Sequence, residues 1–320
     1  MRDDAIAIEA RALTRHFDRT VAVDGVSFAV RCGEVFGFLG PNGAGKSTTV
    51  RMLTGYMPPT SGTALLGGHN VTREPSAARA QIAVVPEEAN VYADMTVWQN
   101  VMLMAELHGV PRARRIARGR DLLGTFGLDQ RLKQTGRELS KGLRQRLMLC
   151  MALVSDPAIL FLDEPTSGLD VASARLIREV VARMNREHGT TVFLTTHNIE
   201  EADALCHRVG IIDKGRIAAI DTPRALRAAI QSRRSVEVRF ADAAVDPATL
   251  LGDGGGEIVT LADGFRIYTP APGETAQRIA TRASAQGVRI EAIATLAPSL
   301  EDVFVHLTRT TGSDVNAAQA

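Results

Sequence analysis

Val35-Phe36-Gly37-Phe38-Leu39 runs directly into Gly40-Pro41-Asn42-Gly43-Ala44-Gly45-Lys46-Ser47-Thr48, and the fold is decided there. The first five residues read as a buried strand. A glycine-rich loop follows, and a helix is expected from about Lys46 to Leu53, stopped near Gly55 and Pro58-Pro59. Strand, loop and helix in that order give the pattern Gly-x-x-x-x-Gly-Lys-Ser/Thr its meaning. The glycines let backbone N–H groups converge on phosphate oxygens without a Cβ in the way. The helix adds the positive end of its dipole. In this reading Lys46 neutralises the β/γ-phosphates and the Ser47 hydroxyl binds Mg²⁺. Gly40 to Thr48 are therefore the candidate phosphate-binding residues. A plain glycine-rich turn is the competing reading, and the flanking strand and helix argue against it.

Two more apolar runs read as buried strands. Ala158-Ile159-Leu160-Phe161-Leu162 ends in Asp163-Glu164, and Thr191-Val192-Phe193-Leu194-Thr195 ends at His197. Open α/β sheets place ligands at such carboxyl ends. Asp163 is the candidate to reach the metal and Glu164 to orient and activate water, a role worth about 10²- to 10⁴-fold in rate. Two acids capping the next turn are the bland alternative. His197 alone reads as structural, and its place at a strand end raises the γ-phosphate reading. Ile211–Asp213 and Arg216–Ile220 form an expected hairpin about Lys214-Gly215.

Between Val91 and Asp156 the pattern is helical. Thr96-Val97-Trp98-Gln99 fits a capping box, and Leu143, Leu147, Cys150 and Val154 give one apolar face. Helices are also expected to start at Asn198 and Thr222. The style changes at Ser235. Val236–Phe240, Gly264–Tyr268 and Val288–Ile293 read as strands, Glu274–Ala285 as a helix, and Ser299 with Asp302 as the start of a last helix. Gly252–Gly256 reads as a flexible turn, and the small polar tail from Thr311 as frayed.

The chain has 320 residues, 45% hydrophobic and 23% charged, which excludes a largely disordered protein. Formal charge is +1, so no overall field points to nucleic acid. Residues 235–320 hold 6 arginines, no lysine and 11 acids, net −5, which leaves the preceding residues at +6. The break supports a boundary, with the basic part handling an anion. Met1-Arg2-Asp3-Asp4 lacks the basic and apolar regions of a signal peptide, and no apolar run approaches the roughly 20 residues of a membrane span. Cys32, Cys150 and Cys206 lie far apart without metal spacing and read as reduced core residues.

Taken together, these motifs resemble the ATP-binding cassette family, the nucleotide-binding subunits of ABC transporters, over about residues 6–230. Gly40–Thr48 looks like the Walker A loop and Ile159–Glu164 like Walker B with its catalytic glutamate. Leu139-Ser140-Lys141-Gly142-Leu143-Arg144-Gln145 looks like the signature motif. Ser167-Gly168-Leu169-Asp170 matches the D-loop and His197 the switch histidine. Phe17 sits where the family places an aromatic under adenine; a core residue is the competing reading. The resemblance implies an α/β P-loop NTPase cassette, 1–230, with a mixed sheet core and a helical subdomain at about 91–156. A small α+β C-terminal domain follows at 235–310. That domain, with Pro298–Phe304, resembles the extension of drug- and antibiotic-export cassettes of the daunorubicin-resistance type. A dimer-stabilising cap is preferred for it over a ligand-sensing domain.

The resemblance also implies the machine. Ser140, Lys141, Gly142 and Asp170 would face the ATP bound to an opposite subunit, so two cassettes, in a homodimer, close head to tail on two ATP molecules with Mg²⁺ held by Ser47, Asp163 and Glu87. Two departures stand out. Lys141 replaces the family's Gly and adds positive charge near the phosphates. Glu87, in Val84-Val85-Pro86-Glu87-Glu88, replaces the usual Gln. Either Glu87 ligates Mg²⁺ directly or it repels the γ-phosphate, leaving Glu88 as the operative residue. Arg112, Arg114, Arg115, Arg118 and Arg120 read as a solvated face, with acidic permease loops or anionic lipid as the sharper alternative.

The leading expectation is an ATPase that drives export of a drug, antibiotic, lipid or similar molecule. Its partner would be a separate integral membrane permease, and it would sit at the cytoplasmic face of the membrane through that permease, with no nucleic-acid partner. A soluble cassette ATPase acting on ribosomes or DNA is the alternative. One P-loop, one signature and about a hundred residues between Lys46 and Ser140 leave no second cassette or coiled-coil arm. A non-hydrolysing regulatory cassette is disfavoured by Glu164 and His197.

Overall fold

The computed structural model of the chain describes residues 5–230, 234–241, 245–251 and 256–313. They divide into two compact units, Met1–Asp221 and Thr222–Ala320.

The first unit carries two sheets. β1 (Ile6–Phe17) and β2 (Thr20–Arg31) form a long antiparallel hairpin, extended by β4 (Ser61–Leu66) and β5 (His69–Asn70) in the order β2-β1-β4-β5. The second sheet is built on β3 (Val35–Leu39), the expected strand before the loop, and all five of its residues are buried. Its neighbours are β6 (Ile82–Val85), β7 (Ile159–Asp163), β8 (Thr191–Thr196), β9 (Arg208–Asp213) and β10 (Arg216–Asp221), in the order β10-β9-β3-β8-β7-β6. Only β10 runs antiparallel. A parallel sheet covered on both faces needs continuous apolar strands rather than alternating ones, which is why β3, β7 and β8 stood out in the sequence. The expected hairpin turns at Lys214 and Gly215, both at positive φ (47° and 78°), the geometry that matches strand twist.

The core joins the two sheets. Phe193 of β8 meets the rings of Phe28, Phe36, Phe38 and Phe161 at centroid distances of 5.4–5.8 Å. Phe28 comes from β2 and the others from the parallel sheet.

Around the sheets run α1 (Lys46–Leu53), α2 (Pro75–Arg79), α3 (Val97–Leu107), α4 (Arg112–Thr125), α5 (Lys141–Leu153), α6 (Val171–His188) and α7 (Ile199–Leu205). The Thr96 capping box is present, with Thr96 Oγ1 accepting from Gln99 N and Gln99 Oε1 from Thr96 N. α6 is capped by Asp170 and stops at Gly189, φ 66°. α5 departs from the expected single apolar face: Leu147 to Leu153 are buried all round. Two of the arginines read as a solvated face are half-buried instead, Arg115 on Glu106 and Arg118 on Asp156 and the Leu153 carbonyl. Cys150 and Cys206 are buried as expected, whereas Cys32 is exposed in the turn between β2 and β3. Among the described residues no helix is long and apolar enough to cross a membrane.

The second unit opens with α8 (Pro223–Ala229), capped by Thr222. Its sheet has the order β12-β13-β11-β14: β11 (Ser235–Phe240), β12 (Ile258–Leu261), β13 (Gly264–Tyr268) and β14 (Ile290–Leu296). α9 (Pro247–Leu251) and α10 (Pro272–Ala285) cover one face, burying Val236, Val238, Phe265, Ile267 and Ile279. β14 starts two residues later than expected because Val288 N is spent on the Ala283 carbonyl, closing α10. α11 (Leu300–Ser313) starts at Ser299 and Asp302 as expected and runs to Ser313, past Thr311 where a frayed tail was expected. Residues 314–320, and 252–255 of the expected turn, lie outside the described residues.

Phe193→Ala removes the ring that four others share. It is expected to destabilise the first unit by about 3–5 kcal/mol, measured by denaturant unfolding of the full chain.

Candidate active site

The carboxyl ends of β3, β7 and β8 lie side by side, and the candidate residues converge there. Gly45 caps α1 at φ 105° with no side-chain bond, and α1 has no acid in its first turn. Its first N–H groups are thus without side-chain partners, the arrangement that accepts an anion. Gly45 is required by space as well as by φ, and Gly40 by space. A Cβ on Gly45 would lie 2.6 Å from the Ala22 carbonyl oxygen, and one on Gly40 would lie 2.5 Å from that of Ile212. Gly215 N donates to the Ala44 carbonyl at 2.9 Å, so the β9–β10 turn holds the loop from outside.

Lys46 is buried. Its Nζ donates to the Gly40 carbonyl at 2.7 Å and the Pro41 carbonyl at 3.3 Å, and stands 3.3 Å from Glu164 Oε1. Glu164 is also buried and at positive φ, 48°. Its N donates to the Thr195 carbonyl at 3.0 Å. Its Oε2 accepts from His197 N at 3.2 Å and meets His197 Nδ1 at 2.8 Å. The His197 side chain is 54% exposed and faces the cavity.

Ser47 Oγ donates to Asp163 Oδ1 at 3.4 Å, and Thr195 Oγ1 donates to the same oxygen. The β7–β8 register puts Asp163 opposite Thr195. A hydroxyl and a carboxylate beside a phosphate cradle are hard oxygen donors of the kind Mg²⁺ takes together with phosphate oxygens, so the residues present fit that ion.

These groups surround a cavity of about 270 Å³. Of the expected residues, Pro41, Asn42, Gly43, Gly45, Lys46, Ser47, Thr48, Glu87, Glu164 and His197 line it. Gly40, Ala44 and Asp163 support it from behind. Glu87 Oε1 accepts from Ser167 Oγ at 3.4 Å. Phe17 does not line it. Phe17 is 40% exposed at the end of β1, with the Arg15 guanidinium 4.8 Å over its ring, so it is not a core residue.

Ser140, Lys141, Gly142 and Asp170 do not line the cavity either. Ser140 caps α5, accepting from Leu143 N at 3.4 Å. A Cβ on Gly142 would lie 2.7 Å from Ser173 Oγ, and one on Gly168 would lie 2.5 Å from Lys141 Nζ. Asp170 accepts from Ser173 N and Oγ, both at 2.8 Å, and those bonds hold its carboxyl below the usual range.

Sequence reasoning placed Ser167 in the D-loop without assigning it to this cavity, and missed Ala22 and Thr195 as parts of the site. A hydroxyl at the end of the buried strand beside Asp163 was the available signal for Thr195. The missed hairpin of β1 and β2 hid Ala22.

Fold and site define a P-loop nucleotide hydrolase. Residues 23–167 match the family described as ABC transporter. Over 99% of both chains, the protein is 36% identical to a daunorubicin resistance ATP-binding protein of Streptomyces coeruleorubidus. It is 43% identical to a Nod factor export ATP-binding protein of Paraburkholderia xenovorans over 69% of this chain and 72% of that one. A solved structure of CbiO1 from Clostridium perfringens, part of the ABC transporter complex CbiONQ, superposes with a TM-score of 0.64 at 27% identity. That match covers 70% of this chain and 92% of the other. The chain belongs to the ABC transporter family, as an ATP-binding subunit and an ATPase of the cassette type.

Lys46→Ala removes a charge-assisted phosphate contact, worth about 1.5–3 kcal/mol. Titration with a fluorescent ATP analogue is expected to show affinity lowered roughly 10- to 100-fold; unchanged affinity would exclude Lys46 from the phosphate site.

Proposed function

We propose that this chain is the motor of an exporter: it closes with a second copy around two ATP molecules, and hydrolysis reopens the pair to drive a separate membrane permease. The observation that carries this reading is the convergence of Lys46, Glu164 and His197 on one glycine-rich cradle.

Each residue has a role in that cycle. Lys46 and the N–H groups of the loop bind the β- and γ-phosphates. Ser47 and Asp163 would hold Mg²⁺, which would supply charge neutralisation on the phosphate oxygens. Glu164 orients the attacking water and accepts its proton. His197, fixed through Nδ1, turns Nε2 toward the γ-phosphate. Phe17 stacks on adenine from an exposed strand end. Ser140, Lys141, Gly142 and Asp170 serve the partner's nucleotide, which accords with their distance from this chain's own cavity. One phosphate cradle and one signature in each chain call for a head-to-tail pair.

A second cavity of about 840 Å³ fits the permease contact. It is lined by Val50, Ile82, Val84, Met104 and Met148, with Tyr56 81% exposed at its mouth, and Asp163 forms part of its wall. A short helix of a membrane protein seated there would touch the strand that carries the metal carboxylate. Attachment through the permease would place the chain at the cytoplasmic face of the membrane. The Nod factor export relative and the daunorubicin resistance relative favour export of a drug, antibiotic, lipid or similar molecule over action on ribosomes or DNA.

Glu164→Gln is expected to keep ATP binding, slow hydrolysis by about 10²-fold or more, and elute as a dimer with ATP on size exclusion. Used as bait on native membranes, the trapped variant should recover a polytopic membrane protein. Recovery of ribosomes or DNA factors without one would move the assignment to a soluble ATPase, and wild-type hydrolysis by the variant would mean another base.

A further inference from the structure

The most deeply buried acid among the described residues belongs to none of the roles above. Glu201, in the first turn of α7, is 0% exposed, whereas Glu34, Glu164 and Asp213 each keep 7%. Burial pushes its carboxyl above the usual range. A buried carboxyl calls for hydrogen bonds, and Glu201 makes its bond through one oxygen, Oε2 having no hydrogen-bond partner among the described residues. Glu201 Oε1 accepts from Thr166 Oγ1 at 2.9 Å.

The position of that bond is what matters. Thr166 lies two residues after Glu164, in the turn closed by Ser167 N donating to the Glu164 carbonyl at 3.1 Å. Glu201 lies four residues after His197. Its own N donates to Asn198 Oδ1 at 3.2 Å, and Asn198 N donates to Thr196 Oγ1 at 2.9 Å. The Thr166–Glu201 bond thus joins the turn that leaves Glu164 to the helix that follows His197, behind the face where Glu164 Oε2 and His197 Nδ1 meet.

We propose that Glu201 is a positioning residue for hydrolysis, tying the turn after Glu164 to the start of α7 and so fixing the Glu164–His197 contact. The inference rests on Glu164 being the residue that orients the water. Glu164 occupies the left-handed region at φ 48°. A non-glycine residue stays there only where its surroundings over-determine it. One anchor is Glu164 N on the Thr195 carbonyl; Thr166 on Glu201 is the second, from the other side of Pro165. Without it the turn loses its side-chain tie to α7, and a small misplacement of a reacting group lowers the rate far more than the affinity.

The test uses the full chain, with steady-state ATP hydrolysis, fluorescent ATP-analogue binding and thermal melting on each variant. Glu201→Ala is expected to lower kcat about tenfold or more while KM for ATP stays within about twofold. Glu201→Gln keeps the acceptor oxygen and should lie within about threefold of the wild type. Thr166→Val removes the donor from a half-buried position and should reproduce the alanine loss. It decides the matter should Glu201→Ala fail to fold. A wild-type rate in Thr166→Val, a glutamine variant as slow as alanine, or loss of kcat in step with nucleotide binding would each overturn the proposal. Full hydrolysis by Glu164→Gln would instead bring down the reading of Glu164 itself. A slow Glu164→Gln beside a normal Thr166→Val brings down only the role of Glu201.

Discussion

Glu164 is an ionisable group in a place where an unpaired charge would cost several kcal/mol, and much of the site is arranged around that cost. Lys46 comes from the first turn of α1 and His197 from the residue after β8, and both reach the same carboxylate at the end of β7. Those three places meet because β3, β8 and β7 are adjacent and parallel, with Leu39 opposite Thr196 and Asp163 opposite Thr195. Neither the ion pair nor the sheet order is useful without the other. The aromatic cluster about Phe193 holds the sheet from below, and the β9–β10 turn holds the loop from outside through Gly215.

The side chains assigned to the partner's nucleotide show the same economy. Ser140 and Asp170 each close a helix start in their own chain, and Gly142 is small because Ser173 stands against it. Such bonds fix the starts of α5 and α6 as a rigid pair of surfaces. Arg146 adds to this by donating to Ser173 Oγ at 2.9 Å. A partner that meets this surface meets N–H groups already in place, which lowers the ordering cost of association.

The parts legible in the sequence were those governed by local rules. β3, β7 and β8 show as apolar runs because both faces of the sheet are covered, and Thr96, Asn198 and Thr222 carry the chemistry of a helix cap in themselves. The long hairpin at the start of the first unit was not read. Its register slips between Ala10 and Leu13, where Ala12 sits at φ 48° with its N on Ser27 Oγ, and the slip breaks the alternation that marks a strand. Phe17, at the end of β1, was read either as the aromatic under adenine or as a core residue, and its 40% exposure excludes the second. Glu201 was invisible for another reason. Beside Glu200 and Asp203 in a polar helix start it reads as a solvated acid, and only the tertiary approach of Thr166 makes it a buried one.

In the proposed head-to-tail pair each chain holds two halves of different sites. This is tested most directly by mixing two inactive variants, Lys46→Ala and Ser140→Ala, and measuring ATP hydrolysis. A mixed pair contains one site with both halves intact, the phosphate loop of one chain facing the signature of the other. The account predicts activity in the mixture well above that of either variant alone. A mixture no more active than the average of its components would contradict it and place the whole site within a single chain.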